Sequence, residues 1–294
     1  MKIIYIIIVT YNGEKWLKKC LESSFCSDIP VKIVIIDNGS TDNTLKIVES
    51  FSGKRIHFIQ TGENLGFGKA NNLGINYALE QGAEFVYLLN QDAYLDANTI
   101  SGLVKIMESD YSYGILSPMQ YNGDGSRLDK NFEDIYTKRS TKSPTSSDVL
   151  NVKFVMAAHW LIRCSMLQMV GLFDPLFSHY GEDNDLINRF LYRNYLVGIS
   201  VNYKAYHDRD DRKIDEKKQI DVAFQGLIAQ LTNPGNKNIL LSLFSFFCKS
   251  PIIYLIKGMK IENCKYQFLK IFTLFKLRKK ILYTRRKNKL AIPI

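Results

Sequence analysis

The sequence predicts an α/β protein with a mainly parallel central sheet and a basic, amphipathic helical region towards its C-terminal end. Three observations carry that prediction. Apolar β-branched runs alternate with helical stripes through residues 1–119, the order that builds a parallel sheet through right-handed crossovers. The run Phe85-Val86-Tyr87-Leu88-Leu89 stops abruptly on Asn90-Gln91-Asp92. A strand buried on both faces ends in this way where it reaches the ligand-binding edge of an open sheet. From Lys237 onward, fourteen Lys/Arg stand against one acid, Glu262, a net of +13, whereas residues 1–236 sum to −3.

The elements follow in order. Residues 3–9 form an apolar run that faintly imitates a signal peptide after Met1-Lys2. The run is short and gives way to Thr10-Tyr11-Asn12 without a small-residue cleavage site, so it reads as the first strand. Residues 31–37 give a second strand, 55–60 a weaker alternating one, 84–90 a strong one and 114–118 a short one. Between them, Trp16, Leu17, Cys20 and Leu21 recur at helical spacing, as do Leu45, Ile47, Val48 and Phe51. Ala70, Leu73, Tyr77 and Ala78 make a third stripe, and Ile100, Leu103, Val104 and Met107 a fourth. Residues 120–150 are polar and poor in aliphatics, which predicts a surface loop. Periodicity returns at 154–158, then as helices over 164–170 and 182–195, and a last strand over 197–201 leads to His207.

At 294 residues and 46% hydrophobic, the chain can bury a core for one domain, expected over 1–212, with a basic helical region over 213–294. Its five cysteines are odd in number and scattered, which argues against a disulfide framework and a zinc site. The apolar runs of the tail are too short to span a bilayer, and their interleaved lysines predict a segment lying on an anionic membrane surface. No recognition module accompanies the basic residues, so nucleic acid is not expected as a partner.

Polar residues gather at the predicted strand tips: Thr10-Tyr11-Asn12-Gly13, Asp37-Asn38-Gly39-Ser40, Glu63-Asn64-Leu65-Gly66-Phe67-Gly68-Lys69, and Asn90-Gln91-Asp92. Singly, each is ordinary turn and capping chemistry. Together on one edge they can meet a base, a ribose and a diphosphate, the last at backbone N–H groups near Gly66 and Gly68. A strand-end carboxylate such as Asp92 suits a hard divalent cation. The cluster Gly181-Glu182-Asp183-Asn184-Asp185 opens a helix, where acids favour the macrodipole; the same acids can serve as a base. Trp160, upstream of that helix, is a candidate stacking surface for an acceptor sugar.

The ordered motifs Val9-Thr10-Tyr11-Asn12, Ile36-Asp37-Asn38-Gly39-Ser40-Thr41-Asp42, Asn64 through Asn72, Leu88-Leu89-Asn90-Gln91-Asp92 and Gly181 through Leu186 carry a resemblance. Over roughly residues 3–207 the chain resembles the family 2 inverting glycosyltransferases of the GT-A fold, particularly the bacterial rhamnosyltransferase-like branch. The resemblance implies that Thr10, Tyr11, Asn12, Asp37 and Asn38 hold the nucleotide. Gly66, Lys69, Asn71, Asn90 and Gln91 would line the sugar and diphosphate. Asp92 and His207 would hold Mg²⁺ or Mn²⁺, with Asn90 standing where the family's motif usually begins with Asp. Asp183 would be the base, and Glu182 with Trp160 would face the acceptor.

The expected activity is inverting, metal-dependent transfer from a nucleotide-diphosphate sugar to a glycan, lipid-linked, in O-antigen or capsule synthesis. The expected location is cytoplasmic and peripheral, on the inner face of the cell membrane. A sugar nucleotidyltransferase is the alternative enzyme, although Thr10-Tyr11-Asn12-Gly13-Glu14 is not its Gly-rich, basic first loop. A non-catalytic nucleotide-binding scaffold at the membrane is the alternative from outside enzymes. A dehydrogenase is poorly supported, because Gly66-x-Gly68 follows the third strand rather than the first.

Overall fold

Along the first half of the chain run β1 (Ile4–Thr10), α1 (Leu17–Phe25), β2 (Lys32–Asp37), α2 (Thr44–Ser50), β3 (Ile56–Gln60), α3 (Phe67–Glu80), β4 (Phe85–Asn90), β5 (Ala93–Leu95) and α4 (Thr99–Ser109). The second half begins with β6 (Tyr113–Asn122), α5 (Lys130–Arg139), β7 (Val149–Asn151), β8 (His159–Arg163), α6 (Cys164–Val170), α7 (Glu182–Tyr192) and β9 (Leu196–His207). It closes with α8 (Glu216–Thr232), α9 (Ile239–Phe244), α10 (Ser250–Ile256) and α11 (Ile261–Leu290), a π-helical turn joining α9 to α10. This computed structural model describes residues 2–51, 53, 56–139, 148–177, 179–209, 215–256, 258 and 260–290.

The strands form one sheet in the order β3-β2-β1-β4-β8-β6-β9-β5, with β7 also on β9. From β3 to β4 it is parallel, as the alternation predicts. Beyond β4 it is mixed: β8 lies antiparallel between β4 and β6, β6 and β9 are parallel, and β5 and β7 run antiparallel to β9. Successive side chains of each strand enter opposite layers. Tyr5, Ile7, Val34, Ile36 and Leu88 pack under α3, α6 and α7, while Ile4, Ile6, Ile8, Ile35 and Leu89 pack under α1, α2 and α4.

Two expectations are corrected here, and one strand was not expected: β8, from His159 to Arg163, is inserted between β4 and β6 and buried throughout. Residues 120–150 are not wholly loop. Asp129 caps α5 by accepting from Phe132 N at 3.0 Å, and fully buried Phe132 anchors the helix to the core; residues 140–147 lie outside the described residues. The last strand runs on to His207, because β5 turns back after Asp92 and pairs with its end, Ala93 opposite His207. Arg55 and the expected domain boundary at 212–213 also lie outside the described residues.

The C-terminal region is helical and docks on the α/β body. Phe177 packs among Phe224, Leu227 and Ile228 of α8, Phe246 of the π-helical turn and Ile281 of α11. Lys287 of α11 pairs with buried Asp174 at 2.7 Å. The strongest joint is deeper. Asp185 is fully buried and accepts from Arg189 Nε at 2.8 Å, one turn along α7. Three more guanidinium protons go to the carbonyls of Val170, Gly171 and Leu172 at 2.7–3.0 Å. Thr232 of α8 and Asn288 of α11 donate to the other oxygen of Asp185 at 3.2 and 3.3 Å.

A buried pair held by this many hydrogen bonds is costly to break from one side, by about 3–5 kcal/mol, because the remaining charge stays buried and unpaired. Arg189→Met is therefore expected to lower the denaturant midpoint sharply. The double variant Asp185→Leu/Arg189→Met is expected to recover part of the loss. A single variant within about 0.5 kcal/mol of the parent would show that the pair is not a structural joint.

Candidate active site

The tips of β1, β2 and β4 meet at one edge of the sheet. Thr10 is buried there, and its hydroxyl donates to Gln91 Oε1 at 2.7 Å. The same oxygen accepts from Tyr11 N at 2.9 Å, and Gln91 Nε2 donates to Tyr11 O at 3.2 Å. Gly13 closes this turn: a Cβ on it would sit 2.5 Å from both Gln91 Oε1 and Thr10 Oγ1, so no other residue fits without displacing them. Asn12 adopts a positive φ of 49° and accepts from Thr41 N at 2.8 Å, while its own N–H donates to Ser40 Oγ at 2.9 Å.

The second tip is tied to the third unit. Buried Asp37 accepts from Ser40 N at 3.3 Å. Asn38 donates to Asn64 Oδ1 at 3.0 Å and accepts from Leu65 N at 2.9 Å. These bonds hold the segment that opens α3, a helix of 14 residues whose first N–H groups face the site edge. Lys69 is exposed in its first turn.

Asp92 and His207 are far apart in sequence but adjacent in space. The β5–β9 pairing sets them side by side, and Asp208 N donates to Asp92 O at 2.7 Å. His207 Nε2 lies 3.3 Å from Asp92 Oδ1. Burial works against the charge on Asp92, yet the His207 hydrogen bond and the nearby Arg209 hold its carboxyl below the usual carboxylate value. His207 Nδ1 is buried with no hydrogen-bond partner. A carboxylate oxygen and the imidazole Nε2 side by side fit a divalent cation that keeps few protein ligands. No cluster of three or more His, Cys, Asp or Glu occurs among the described residues, so such an ion would depend on its substrate to complete its shell.

The opposite wall is the start of α7. Tyr180 and Gly181 both have positive φ, 68° and 85°. This is the left-handed region, uncommon for a tyrosine, and it turns the chain sharply into the helix. Gly181 also lies against α8, where a Cβ would come within 3.0 Å of Gln225 O. Glu182 and Asp183 follow at once. A Cβ on Gly68 would sit 3.1 Å from Phe173 and 3.7 Å from Glu182, so α3, the Phe173 loop and α7 converge closely. Asn72 fixes that loop, donating to Phe173 O at 2.9 Å and accepting from Phe173 N at 3.0 Å.

Burial, with the Asp183 charge adjacent, pushes Glu182 up to about 7, and its Oε2 is buried without a partner. Burial also pushes Asp183 up to about 6, partly offset by Asn184, whose N–H and amide donate to Asp183 Oδ1 at 2.7 and 3.1 Å. A carboxylate with a pKa near 6 is ionised at neutral pH and retains appreciable basicity.

Two site expectations are corrected by burial. Trp160 is fully enclosed in the sheet, stacked on Phe173 at 6.5 Å, and cannot present its ring to a sugar. Asn71 is buried on the inner side of α3 and donates to Phe67 O at 3.0 Å, so its amide serves the helix. Gln91 commits both ends of its amide to the first turn, as described above. Asn90 is half-buried and its N–H donates to Ala158 O at 3.2 Å. Asn72, inside the Asn64 through Asn72 motif, was given no role of its own from the sequence, and its amide holds the Phe173 loop. Its place one position beyond Asn71 in a helix turns it towards Phe173, and helical phase was the available signal.

The model of the family described as Glycosyl transferase family 2 matches residues 5–171. Similar curated proteins include the low-salt glycan biosynthesis hexosyltransferase Agl10 of Haloferax volcanii, 27% identical, covering 80% of this chain and 77% of that protein. They also include the dTDP-rhamnosyl transferase RfbF of Shigella flexneri, 29% identical over 72% of this chain and 71% of that one. Among solved structures, Staphylococcus aureus TarS 1–349 in complex with UDP superposes with a TM-score of 0.64 at 19% identity, covering 99% of this chain and 89% of that one. The fold is that of the GT-A group.

The raised pKa values have a consequence for stability. Between about 4.5 and about 7 the folded protein holds the Glu182 proton more tightly than the unfolded chain does, so this group's contribution is full at low pH and is lost as pH rises through 7. Glu182→Gln, which cannot ionise, is therefore expected to raise Tm relative to the parent at pH 8 and to leave it nearly unchanged at pH 4.5. A Tm difference independent of pH would show that Glu182 is not held in this environment.

Proposed function

The chain belongs to glycosyl transferase family 2, and from that premise we propose that it moves a sugar from a nucleotide-diphosphate sugar to a hydroxyl of a glycan acceptor with inversion. The observation that carries this reading is the Asp183 carboxyl, shifted up to about 6 on a helix start that meets the nucleotide-side helix at Gly68. Asp183 takes the proton of the acceptor hydroxyl as its oxygen forms a bond to the anomeric carbon. The bond from that carbon to the diphosphate oxygen breaks, and the nucleoside diphosphate leaves with the electron pair. Thr10, Tyr11, Asn12, Asp37 and Asn38 hold the nucleotide, and the α3 N-terminus with Gly66 and Lys69 faces the diphosphate.

Asp92 and His207 would hold Mg²⁺ or Mn²⁺, whose chemistry there is to neutralise charge developing on the leaving diphosphate. Glu182, protonated over much of the neutral range, donates to the acceptor or the transferred sugar. The donor class is supported by the UDP held in the TarS structure and by the dTDP-rhamnosyl activity named for RfbF. A role in surface polysaccharide synthesis is supported by the same relatives.

The acceptor in this reading is lipid-linked, and the protein works on the inner, anionic face of the cell membrane. No helix among the described residues is long and apolar enough to cross a bilayer. Instead α11 exposes Phe272, Phe275, Leu282 and Tyr283, each more than 60% accessible, beside exposed Lys276, Lys279 and Lys280. Apolar side chains interleaved with cations bind an anionic interface by partial insertion and by charge.

With UDP- and dTDP-sugars as donors, Asp183→Asn is expected to lower kcat by roughly two to four orders of magnitude with little change in donor affinity. Asp92→Ala is expected to abolish the effect of Mg²⁺ or Mn²⁺ on donor binding measured by calorimetry. Normal kcat in the first variant would remove Asp183 from the base role, and unchanged metal response in the second would remove Asp92 from the ion. For the membrane, the full chain is expected to sediment with phosphatidylglycerol-containing vesicles at low salt. Lys276→Glu/Lys279→Glu/Lys280→Glu should weaken that binding by about tenfold or more. Equal binding to neutral and anionic vesicles, unaffected by the triple substitution, would overturn the electrostatic part.

A further inference from the structure

A second concavity borders the start of α7, where Asn184 lines it. It is a cleft of about 740 Å³ between α7, α8, the chain after β7 and α9, a volume that holds one or two sugar rings. Its wall is dense in amides: Asn151, Asn184, Asn188, Gln230, Asn233 and Asn236. Among the described residues, Lys153 is its one charged lining residue and Phe154 its one aromatic. An amide offers both a donor and an acceptor, as a sugar hydroxyl does, and it attracts neither anions nor cations strongly. Several of these amides are anchored by one end. Asn151 Oδ1 accepts from Tyr113 Oη at 2.8 Å, Asn233 Oδ1 accepts from Gly235 N at 2.8 Å, and Asn184 donates to Asp183. Anchoring fixes the rotamer and leaves the opposite end of the group for a hydroxyl.

Two further features separate this cleft from an ordinary gap. Gly226 stands inside α8, where glycine is about 1 kcal/mol less favourable than alanine. Nothing lies within 4 Å of its Cβ position, so no close packing demands the glycine, and its effect is to leave the cleft open. Asn184 lines the cleft and also donates to Asp183, so the wall of the cleft touches the carboxyl assigned as the base. On the outer side, Ser242 of α9 lines the cleft while Leu240 on the same helix is 82% exposed.

We propose that this cleft is the acceptor subsite, taking a neutral, hydroxyl-rich sugar of the acceptor glycan and presenting its hydroxyl across Asn184 to Asp183. The assignment rests on the glycosyl-transfer reading above. It also names the acceptor class: an uncharged saccharide terminus, held by amides and by the Phe154 ring, with any lipid directed towards α9.

The test uses the full chain and simple probes: the methyl glycosides of glucose, galactose, N-acetylglucosamine and rhamnose, followed by saturation-transfer NMR. At least one is expected to bind in the millimolar range and to remain bound when UDP is added. Gly226→Leu, a better helix former that fills the cleft, is expected to keep or raise Tm, to keep UDP binding, and to weaken the glycoside at least tenfold. Gly226→Ala, which adds only one methyl, should retain most of the binding. Gln230→Ala gives an independent reading through several-fold weaker binding without added bulk. The proposal is overturned if no glycoside binds, if UDP displaces the glycoside, or if Gly226→Leu and Gln230→Ala both leave its affinity unchanged. Failure of nucleotide binding alongside intact, cleft-dependent glycoside binding would instead count against the glycosyl-transfer reading.

Discussion

The buried Asp185–Arg189 pair is the joint on which the rest of the site depends. A charge taken out of water needs partners, and Arg189 finds four, in Asp185 and in three successive carbonyls of the chain at 170–172. That commitment fixes the segment leading to Phe173, which Asn72 then clamps against α3. It also fixes α7, and therefore the position of Glu182 and Asp183 one turn earlier. The second oxygen of Asp185 draws in α8 and α11 through Thr232 and Asn288. The C-terminal helices are thus wired to the helix that carries Glu182 and Asp183.

The Asp92–His207 side of the site is built by another device. Asp92 ends a sequence that leaves β4 and returns at once as β5, antiparallel to the end of β9. A hairpin-like return to a distant strand brings together a carboxylate and an imidazole that are 115 positions apart in the sequence. Placing the two acidic groups on separate elements keeps their fields apart. The His207 hydrogen bond holds Asp92 low against its burial, whereas Asp183 is raised mainly by burial.

The parallel half of the fold was legible because its signal is local. Runs such as Tyr5 to Ile8 and Val86 to Leu89 are buried on both faces and read as continuous apolar strands, and each tip is marked by a polar break. What escaped the sequence was decided by long-range packing. β8 is antiparallel and central, and its position depends on Leu88 meeting Trp160 across the sheet, which no local pattern encodes. The same burial that makes Trp160 a core residue removes it from the acceptor side. Helix α5 hangs on a single buried aromatic, Phe132, too sparse a stripe to read as amphipathic. Within the site, the identity of the polar residues at the tips was readable. Whether an amide faces a ligand or its own chain, as with Asn71, Asn72 and Gln91, depended on helical phase and turn closure.

The division of labour between Glu182 and Asp183 follows from their being adjacent and buried. Two carboxylates so placed do not ionise independently, and the pair shares a proton over the neutral range. The Asn184 N–H and amide both favour charge on Asp183, whereas Glu182 has an oxygen with no partner. The proton therefore resides mainly on Glu182 and the charge on Asp183. A neutral carboxyl can donate a hydrogen bond where a carboxylate would repel an electron-rich oxygen, and the neighbouring carboxylate remains free to accept a proton. Asn184, which lies between Asp183 and the amide-lined cleft, stabilises the charged form from the side on which the proposed acceptor arrives. A hydroxyl entering there meets an anion already oriented by Asn184, so little reorganisation is left for the proton transfer itself.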